Sequence, residues 1–174
     1  EIEYFINPNM WEEKFTELQM EFKSFMLDIG LDESKIHEVE IGDADRAHYS
    51  KRTIDFEYDF PIGQKELAGL AYRGDFDLSA HQNHSGVSLA SLDESNGEKF
   101  VPHVIEPSIG VERTILAVLA TAYTEEDVSE AKDSSDIRTV LKFKNNIAPV
   151  KVCVSPLLKN KEHLASKARE VHSM

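Results

Sequence analysis

Apolar residues recur near the start of the chain as Trp11, Phe15, Leu18, Phe22, Phe25 and Ile29, at steps of four, three, four, three and four. That spacing draws one apolar stripe on a long helix and leaves Glu12, Glu13, Glu17, Glu21 and Lys23 facing water. Glu1 to Ile6 alternates like a half-buried strand, Asn7-Pro8-Asn9 stops it, and Gly30 closes the helix. Ile36, Val39 and Ile41 predict a short extended segment before Gly42-Asp43-Ala44-Asp45. Ile54, Phe56, Tyr58 and Phe60 alternate with Asp55, Glu57 and Asp59, a period-2 strand ended by Pro61 and Gly63. Lys65 to Tyr72 predicts a more apolar strand, and Asp75 to His81 a short helix. Val87 to Leu92 and Lys99 to Ile105 flank Asp93-Glu94-Ser95-Asn96-Gly97 as the arms of a hairpin, with Pro107 ending the second arm. Ser108 is placed to cap a helix reaching Tyr123, whose Ile115, Leu116, Val118 and Leu119 predict burial against a sheet. Val150 to Val154 predicts a strand and Lys161 to Val171 a helix. The pattern implies an α/β fold, more narrowly α+β: a meander of strands with helices on one side, then the strand and helix that open a second α/β unit.

Charge sharpens that division. The 174 residues carry 19 Lys+Arg against 32 Asp+Glu, a formal net charge of −13. Residues 1–136 hold a balance of −19 and residues 137–174 one of +6. The change follows a polar, acidic stretch from Thr124 to Asp136, so the predicted domains are 1–136 and 137–174. With 41% apolar and 29% charged residues, disorder is excluded. No apolar run is long enough to span a membrane. The single cysteine, Cys153, rules out a disulfide framework. Glu1-Ile2-Glu3-Tyr4 carries no targeting signal and reads as a start inside a larger protein.

Three clusters carry candidate chemistry. In Val104-Ile105-Glu106-Pro107-Ser108-Ile109-Gly110-Val111-Glu112-Arg113, a strand end delivers Glu106 beside a helix N-terminus. Free N–H groups, the Ser108 hydroxyl and the positive end of the helix dipole gather there. Arg113 stands further along, with a planar guanidinium able to reach a phosphate or stack on a base; a capped helix with a surface arginine explains the same pattern structurally. In Lys65-Glu66-Leu67-Ala68-Gly69, Glu66 lies inside an apolar strand and calls for a cationic partner, with Arg73 or Lys65 the internal candidates. Glu1 and Glu3 present two carboxylates on one strand face, as a solvated edge also would. His81 and His84 are three apart, but zinc needs further ligands and Cys153 is remote in sequence. The other histidines, His37, His48, His103, His163 and His172, have no catalytic spacing, and neither a Gly-rich phosphate loop nor a nucleophile elbow is present.

Taken in this order, the clusters resemble the glycyl-tRNA synthetases of class II, in the form that works as a homodimer. Val104 to Arg113 resembles that family's motif 3, which ends in an ATP-binding arginine. Lys65 to Gly69, Arg73 and Asp75-Phe76-Asp77-Leu78 resemble the stretch between motifs 2 and 3, as do Ala47-His48-Tyr49-Ser50 and Asp55 to Pro61. Glu1 to Phe5 resembles the segment just after motif 2, and Val150 to Leu158 the first strand of the anticodon-binding domain. The resemblance implies a class II antiparallel sheet flanked by helices, with residues 1–136 the C-terminal part of the catalytic domain and 137–174 the start of the anticodon-binding domain.

It also implies that glycine is activated with ATP and transferred to tRNA(Gly) in the cytoplasm, without any membrane partner. Glu1, Glu106, Pro107, Ser108, Ile109 and Gly110 would line the glycine pocket, and Glu66, Leu67, Gly110, Val111, Glu112 and Arg113 the ATP site. Arg113, Glu106 and Glu66 would carry the catalytic roles, with Glu66 and Glu106 as ligands to Mg²⁺. Catalysis of this kind rests on positioning and charge neutralisation, so a nucleophile or histidine base is not required. Motifs 1 and 2 are not in this chain, from which the isolated polypeptide is expected to be inactive. A non-catalytic, nucleic-acid-binding accessory subunit with a synthetase-like fold is the alternative reading.

Overall fold

The computed structural model describes residues 1–129 and 136–174. After a short strand β1 (Tyr4–Ile6), the aromatic stripe folds as helix α1 (Trp11–Asp28). Its end is a Schellman cap: Gly30, at φ 93°, donates to Leu27 and Leu31 donates to Met26. Leu31 and Met26 are both buried, the apolar contact that accompanies this cap. The stripe is centred on Phe15 and Met26, both fully buried, whereas Phe25 is 44% exposed. Eleven residues make about three full turns, so those two lie nearly in line, and Phe25 is rotated about 100° from Met26.

The chain continues through β2 (Ile36–Glu40), β3 (Arg52–Phe60), β4 (Gly63–Gly74), α2 (Phe76–Ser85), β5 (Ser91–Leu92), β6 (Lys99–Phe100), β7 (His103–Ile109) and α3 (Val111–Ala122). A five-stranded antiparallel sheet runs in the order β1-β7-β4-β3-β2, with β7 inserted between β1 and β4. One face is apolar. Ile54, Phe56, Tyr58 and Phe60 of β3, Leu70 and Tyr72 of β4 and Ile105 of β7 bury there under α1. Trp11 stacks on Tyr72 at 4.2 Å and Phe22 meets Phe56 edge-on at 5.6 Å. The alternate residues form the other, open face.

Several expectations change here. The hairpin is confined to β5 and β6; His103 to Ile109 leaves it and enters the main sheet. Pro107 does not end that strand but lies inside it. Its carbonyl accepts from Ile2 N–H at 3.0 Å, so its missing N–H faces the β1 side, beyond the Tyr4–Ile105 pair where that ladder ends. The cost is therefore one bond. Ser108 is a strand residue paired with Gly69, and Gly110 takes the helix N-cap position. Helix α3 buries Ala117 and Ala122 and packs Val118 partly against the core, as expected of Val118, with Thr121 Oγ1 2.5 Å from Tyr58 Oη. Val111, Ile115, Leu116 and Leu119 are exposed. β8 (Tyr123–Asp127) pairs with β9 (Ile137–Leu141), so the acidic stretch begins as strand and a second strand starts just after it; residues 130–135 lie outside the described residues.

Contacts divide the chain into two units, Glu1–Lys142 and Phe143–Met174. The division falls after β9 because that strand hydrogen-bonds to β8, whereas the charge balance alone placed the boundary at 136/137. The second unit contains α4 (Glu162–His172). Val150 to Val154 is not a strand; Val150 and Val152 are exposed, and no strand among the described residues pairs with them.

Candidate active site

On the open face, antiparallel register aligns side chains in rows across the sheet. Asp55, Gly69 and Ser108 form one row, and Thr53, Ala71 and Glu106 the next. The middle strand therefore contributes almost no side-chain bulk. A Cβ built on Gly69 would lie 3.6 Å from Ser108 Oγ and 3.8 Å from Asp55 Oδ1, so glycine keeps that gap clear. The segment after β2 roofs this floor through Arg46, Ala47 and Tyr49. Together they enclose a cleft of about 230 Å³, lined also by Asp55, Glu66, Glu106 and Ser108.

A second cleft, of about 440 Å³, adjoins it and shares Glu66 and Ser108. Glu1, Gly110, Glu112 and Arg113 line its far side, at the N-terminus of α3. The unpaired N–H groups of that first turn favour a negatively charged group. Arg113 Nη1 donates to the Glu66 carbonyl at 2.7 Å and lies 3.9 Å from its carboxylate.

Glu66 is not the enclosed carboxylate its apolar surroundings in sequence suggested. A β-bulge opposite Phe56 and Glu57 makes Leu67 the extra residue, so Leu67 and Ala68 both enter the core and Glu66 turns outward, 55% exposed. Arg73 is not its partner either. Arg73 binds Asp77 through Nε at 2.7 Å and Nη2 at 2.9 Å, and Glu106 through Nη1. This guanidinium lies over the Tyr49 ring, 4.0 Å from Cζ to ring centroid. The hydrogen bond from Arg73 holds the Asp77 carboxyl below its ordinary range. Burial first, then the nearby Glu106 charge, push the Glu3 carboxyl up. Burial and the charges of Glu66 and Glu57 do the same to Asp55.

Of the residues singled out in the sequence, Glu1, Glu66, Glu106, Ser108, Gly110, Glu112 and Arg113 meet around the two clefts. Pro107 does not: strand alternation turns it onto the core face, where it is buried. Ile109 packs against the core and borders the larger cleft, and Leu67 borders it with a side chain 2% exposed. Val111 is exposed and lines neither cleft. Sequence reasoning missed Asp55 and the link between Arg73 and Glu106. The first was legible as the non-core phase of the β3 alternation. The second joins residues thirty-three apart and becomes visible only through the β4–β7 register.

Among the described residues, no three His, Cys, Asp or Glu side chains gather as a ready metal site. Of the two carboxylates expected to hold Mg²⁺, Glu106 is engaged by Arg73, whereas Glu66 is the more exposed and has Arg113 only at 3.9 Å. No helix among the described residues is long and apolar enough to cross a membrane.

No family model matches the chain. Individual proteins do. The chain is 42% identical to a glycine–tRNA ligase of Mycoplasmopsis synoviae over 99% of its own length and 37% of that protein's. It is 45% identical to that of Malacoplasma penetrans over 98% of this chain and 36% of the relative. A glycine–tRNA ligase of Clostridium perfringens is 40% identical, again over 99% of this chain and 36% of the relative. Among solved structures, Giardia lamblia prolyl-tRNA synthetase in complex with prolyl-adenylate matches with a TM-score of 0.51 at 12% identity, covering 64% of this chain and 21% of that one. That likeness shows the fold. The chain thus spans little more than a third of its curated relatives, and over that span it is a homologue of one segment of the glycine–tRNA ligases, with a fold like that of part of an aminoacyl-tRNA synthetase.

Proposed function

We propose that the protein carrying this segment activates glycine with ATP and transfers it to tRNA(Gly). The observation that carries this reading is the pair of adjoining clefts, one small and floored by Gly69 and Ala71, the other larger and placed at a helix N-terminus, joined at Glu66 and Ser108. The smaller takes the amino acid. Carboxylates at Glu106, Asp55 and Glu66 surround an ammonium group, and the shallow floor and the Ala47–Tyr49 roof exclude a side chain by denying it volume. The larger takes ATP, with Arg113 and the α3 terminus facing the phosphates and adenine. Glu1 stands at the larger cleft, and its glycine contact is assigned to the rim the two share.

A glycine carboxylate oxygen attacks the α-phosphorus, the bond to the β-phosphate breaks and pyrophosphate leaves. A ribose hydroxyl of the tRNA then attacks the glycyl carbonyl carbon and AMP leaves. Arg113 neutralises charge as pyrophosphate departs, while Glu106 and Ser108 hold the amino acid in line. Mg²⁺ would supply further charge neutralisation on the phosphates, and Glu66, 55% exposed with Arg113 3.9 Å away, is the side chain better placed to hold it. The names of the relatives support tRNA as the second substrate, and the family resemblance supports the cytoplasm as the compartment and a homodimer as the working form. On the same ground, residues 1–136 belong to the catalytic domain and the basic segment that follows opens the anticodon-binding domain, where Lys and Arg meet tRNA phosphates.

The test is glycine-dependent ATP–pyrophosphate exchange by the full-length protein. Arg113→Ala is expected to reduce exchange at least a hundredfold while tRNA binding stays within twofold. Absence of glycine-dependent exchange in the unsubstituted protein would overturn the enzymatic reading and favour a synthetase-like binding module, whereas Arg113→Ala exchanging at the unsubstituted rate would overturn the role given to Arg113.

A further inference from the structure

Glu106 stands in an unusual electrostatic position for a residue meant to receive an ammonium group. It is buried, and a guanidinium already touches it. A simple one-to-one pair of that kind would cancel its charge and leave nothing for a substrate cation. Here the pairing is not one-to-one. Arg73 directs Nε and Nη2, the two donors of one edge, to Asp77, and only Nη1 to Glu106. Two carboxylates share one guanidinium, so these three side chains keep one negative charge in surplus, beside Glu3, whose carboxyl burial and then the Glu106 charge push up.

The geometry is equally constrained. The guanidinium lies over the Tyr49 ring, 4.0 Å from Cζ to the centroid, a contact that restrains where its fork can point. Asp77 lies four residues after Arg73, in the first turn of α2, and Gly74 at φ 62° makes the turn from β4 into that helix. Arg73 and Asp77 are 16% and 34% exposed at their side chains, so the pair is partly shielded from solvent screening. Nothing in this arrangement requires Asp77 or Tyr49 to touch an amino acid; Asp77 does not line the smaller cleft at all.

We propose that Asp77, acting through the Tyr49-stacked guanidinium of Arg73, is a positioning residue that orients Glu106 and leaves its cluster with the surplus negative charge a glycine ammonium needs. The role rests on the glycine-activation reading above. Removing the Asp77 charge turns the triad into a neutral pair in which Arg73 commits wholly to Glu106. Binding of the amino acid then suffers while the ATP cleft, lined by other residues, does not change.

In the full-length protein, Asp77→Asn keeps the side-chain shape and removes the charge. Its glycine KM in pyrophosphate exchange is expected to rise at least tenfold, with the ATP KM within twofold of the unsubstituted value. Arg73→Lys, which cannot serve two carboxylates with a planar fork, is expected to show the same split with a larger rise. An unchanged glycine KM in Asp77→Asn overturns the positioning role. A proportionate rise in both KM values with a lowered thermal midpoint also overturns it, because that is the signature of general loosening. Absence of glycine-dependent exchange in the unsubstituted protein overturns the activation reading and the positioning role with it, whereas normal exchange with an indifferent Asp77→Asn overturns the positioning role alone.

Discussion

The two faces of the five-stranded sheet are built from the same strands and share almost nothing else. On one, Phe56, Tyr58, Leu70 and Ile105 are fully or almost fully buried beneath α1. On the other, one residue along in each strand, stand Asp55, Glu57, Gly69, Ala71, Glu106 and Ser108. The period of two thus separates folding from chemistry within single strands: β3 anchors the core with Phe56 and lines the cleft with Asp55. Burial tolerates only shape-matched apolar groups, whereas the open face keeps small or charged residues whose value lies in the space and field they leave.

If that separation holds, a change on the core face should cost stability first. Phe56→Ala removes a ring packed edge-on against Phe22, and a loss of about 3–5 kcal/mol is expected in denaturant unfolding. Below its unfolding transition, the variant should still prefer glycine to alanine in exchange assays; a lost preference would mean the faces are coupled. On the open face, Gly69→Ala should do the reverse. Its added methyl meets Ser108 and Asp55 at ordinary contact distance, and Gly69 has no positive φ, so the thermal midpoint should not fall. The methyl occupies cleft floor, and the glycine KM should rise about tenfold, equivalent to about 1.4 kcal/mol. A lowered midpoint with normal KM would place Gly69 in the core's service instead.

The smallest effect is on pH dependence. Asp75 and Asp77 are held below the ordinary aspartate value of 3.8, by hydrogen bonds from Ser79 and Arg73 respectively. The stability they contribute is present above that value and lost as pH falls below it through their depressed values. Asp55 and Glu3 are shifted upward, mainly by burial, so the folded state takes up protons there before the unfolded chain does. Their ionisation weakens the fold, and stability should rise slightly as pH falls from neutral towards their range. Thermal midpoints measured from pH 7 to 3 should pass through a shallow maximum, and Asp55→Asn should flatten its neutral side. A monotonic decline from pH 7 would show that the open-face carboxylates carry no such cost.

Local periodicity was enough for α1, β2, β3 and much of β4, because each of these elements has a face whose partner is simply the core. It was also enough to single out Glu106, Ser108, Gly110 and Arg113, which lie within one strand-to-helix transition. What escaped it depends on neighbours distant in sequence. Pro107 reads locally as a strand end, yet the β1 side of β7 leaves room for a residue with no N–H. Glu66 reads as buried until the bulge at Leu67 changes the phase of the strand. Phe25 and Met26 are both apolar, and only the packing of α1 on the sheet decides which one faces inward. Valine-rich Val150 to Val154 satisfies strand propensity but finds no strand to pair with, and propensity without a partner is weak.

Pro107 has a consequence for handling the protein outside the cell. β1 is an edge strand of three residues, and past its end β7 offers a carbonyl but no donor at Pro107. A foreign strand that tried to replace β1, from another copy or from an unfolded chain, would meet a gap in the ladder just where it needed its next bond. Pro107→Ala would restore that donor, making the sheet edge a better template and a concentrated solution more prone to aggregate.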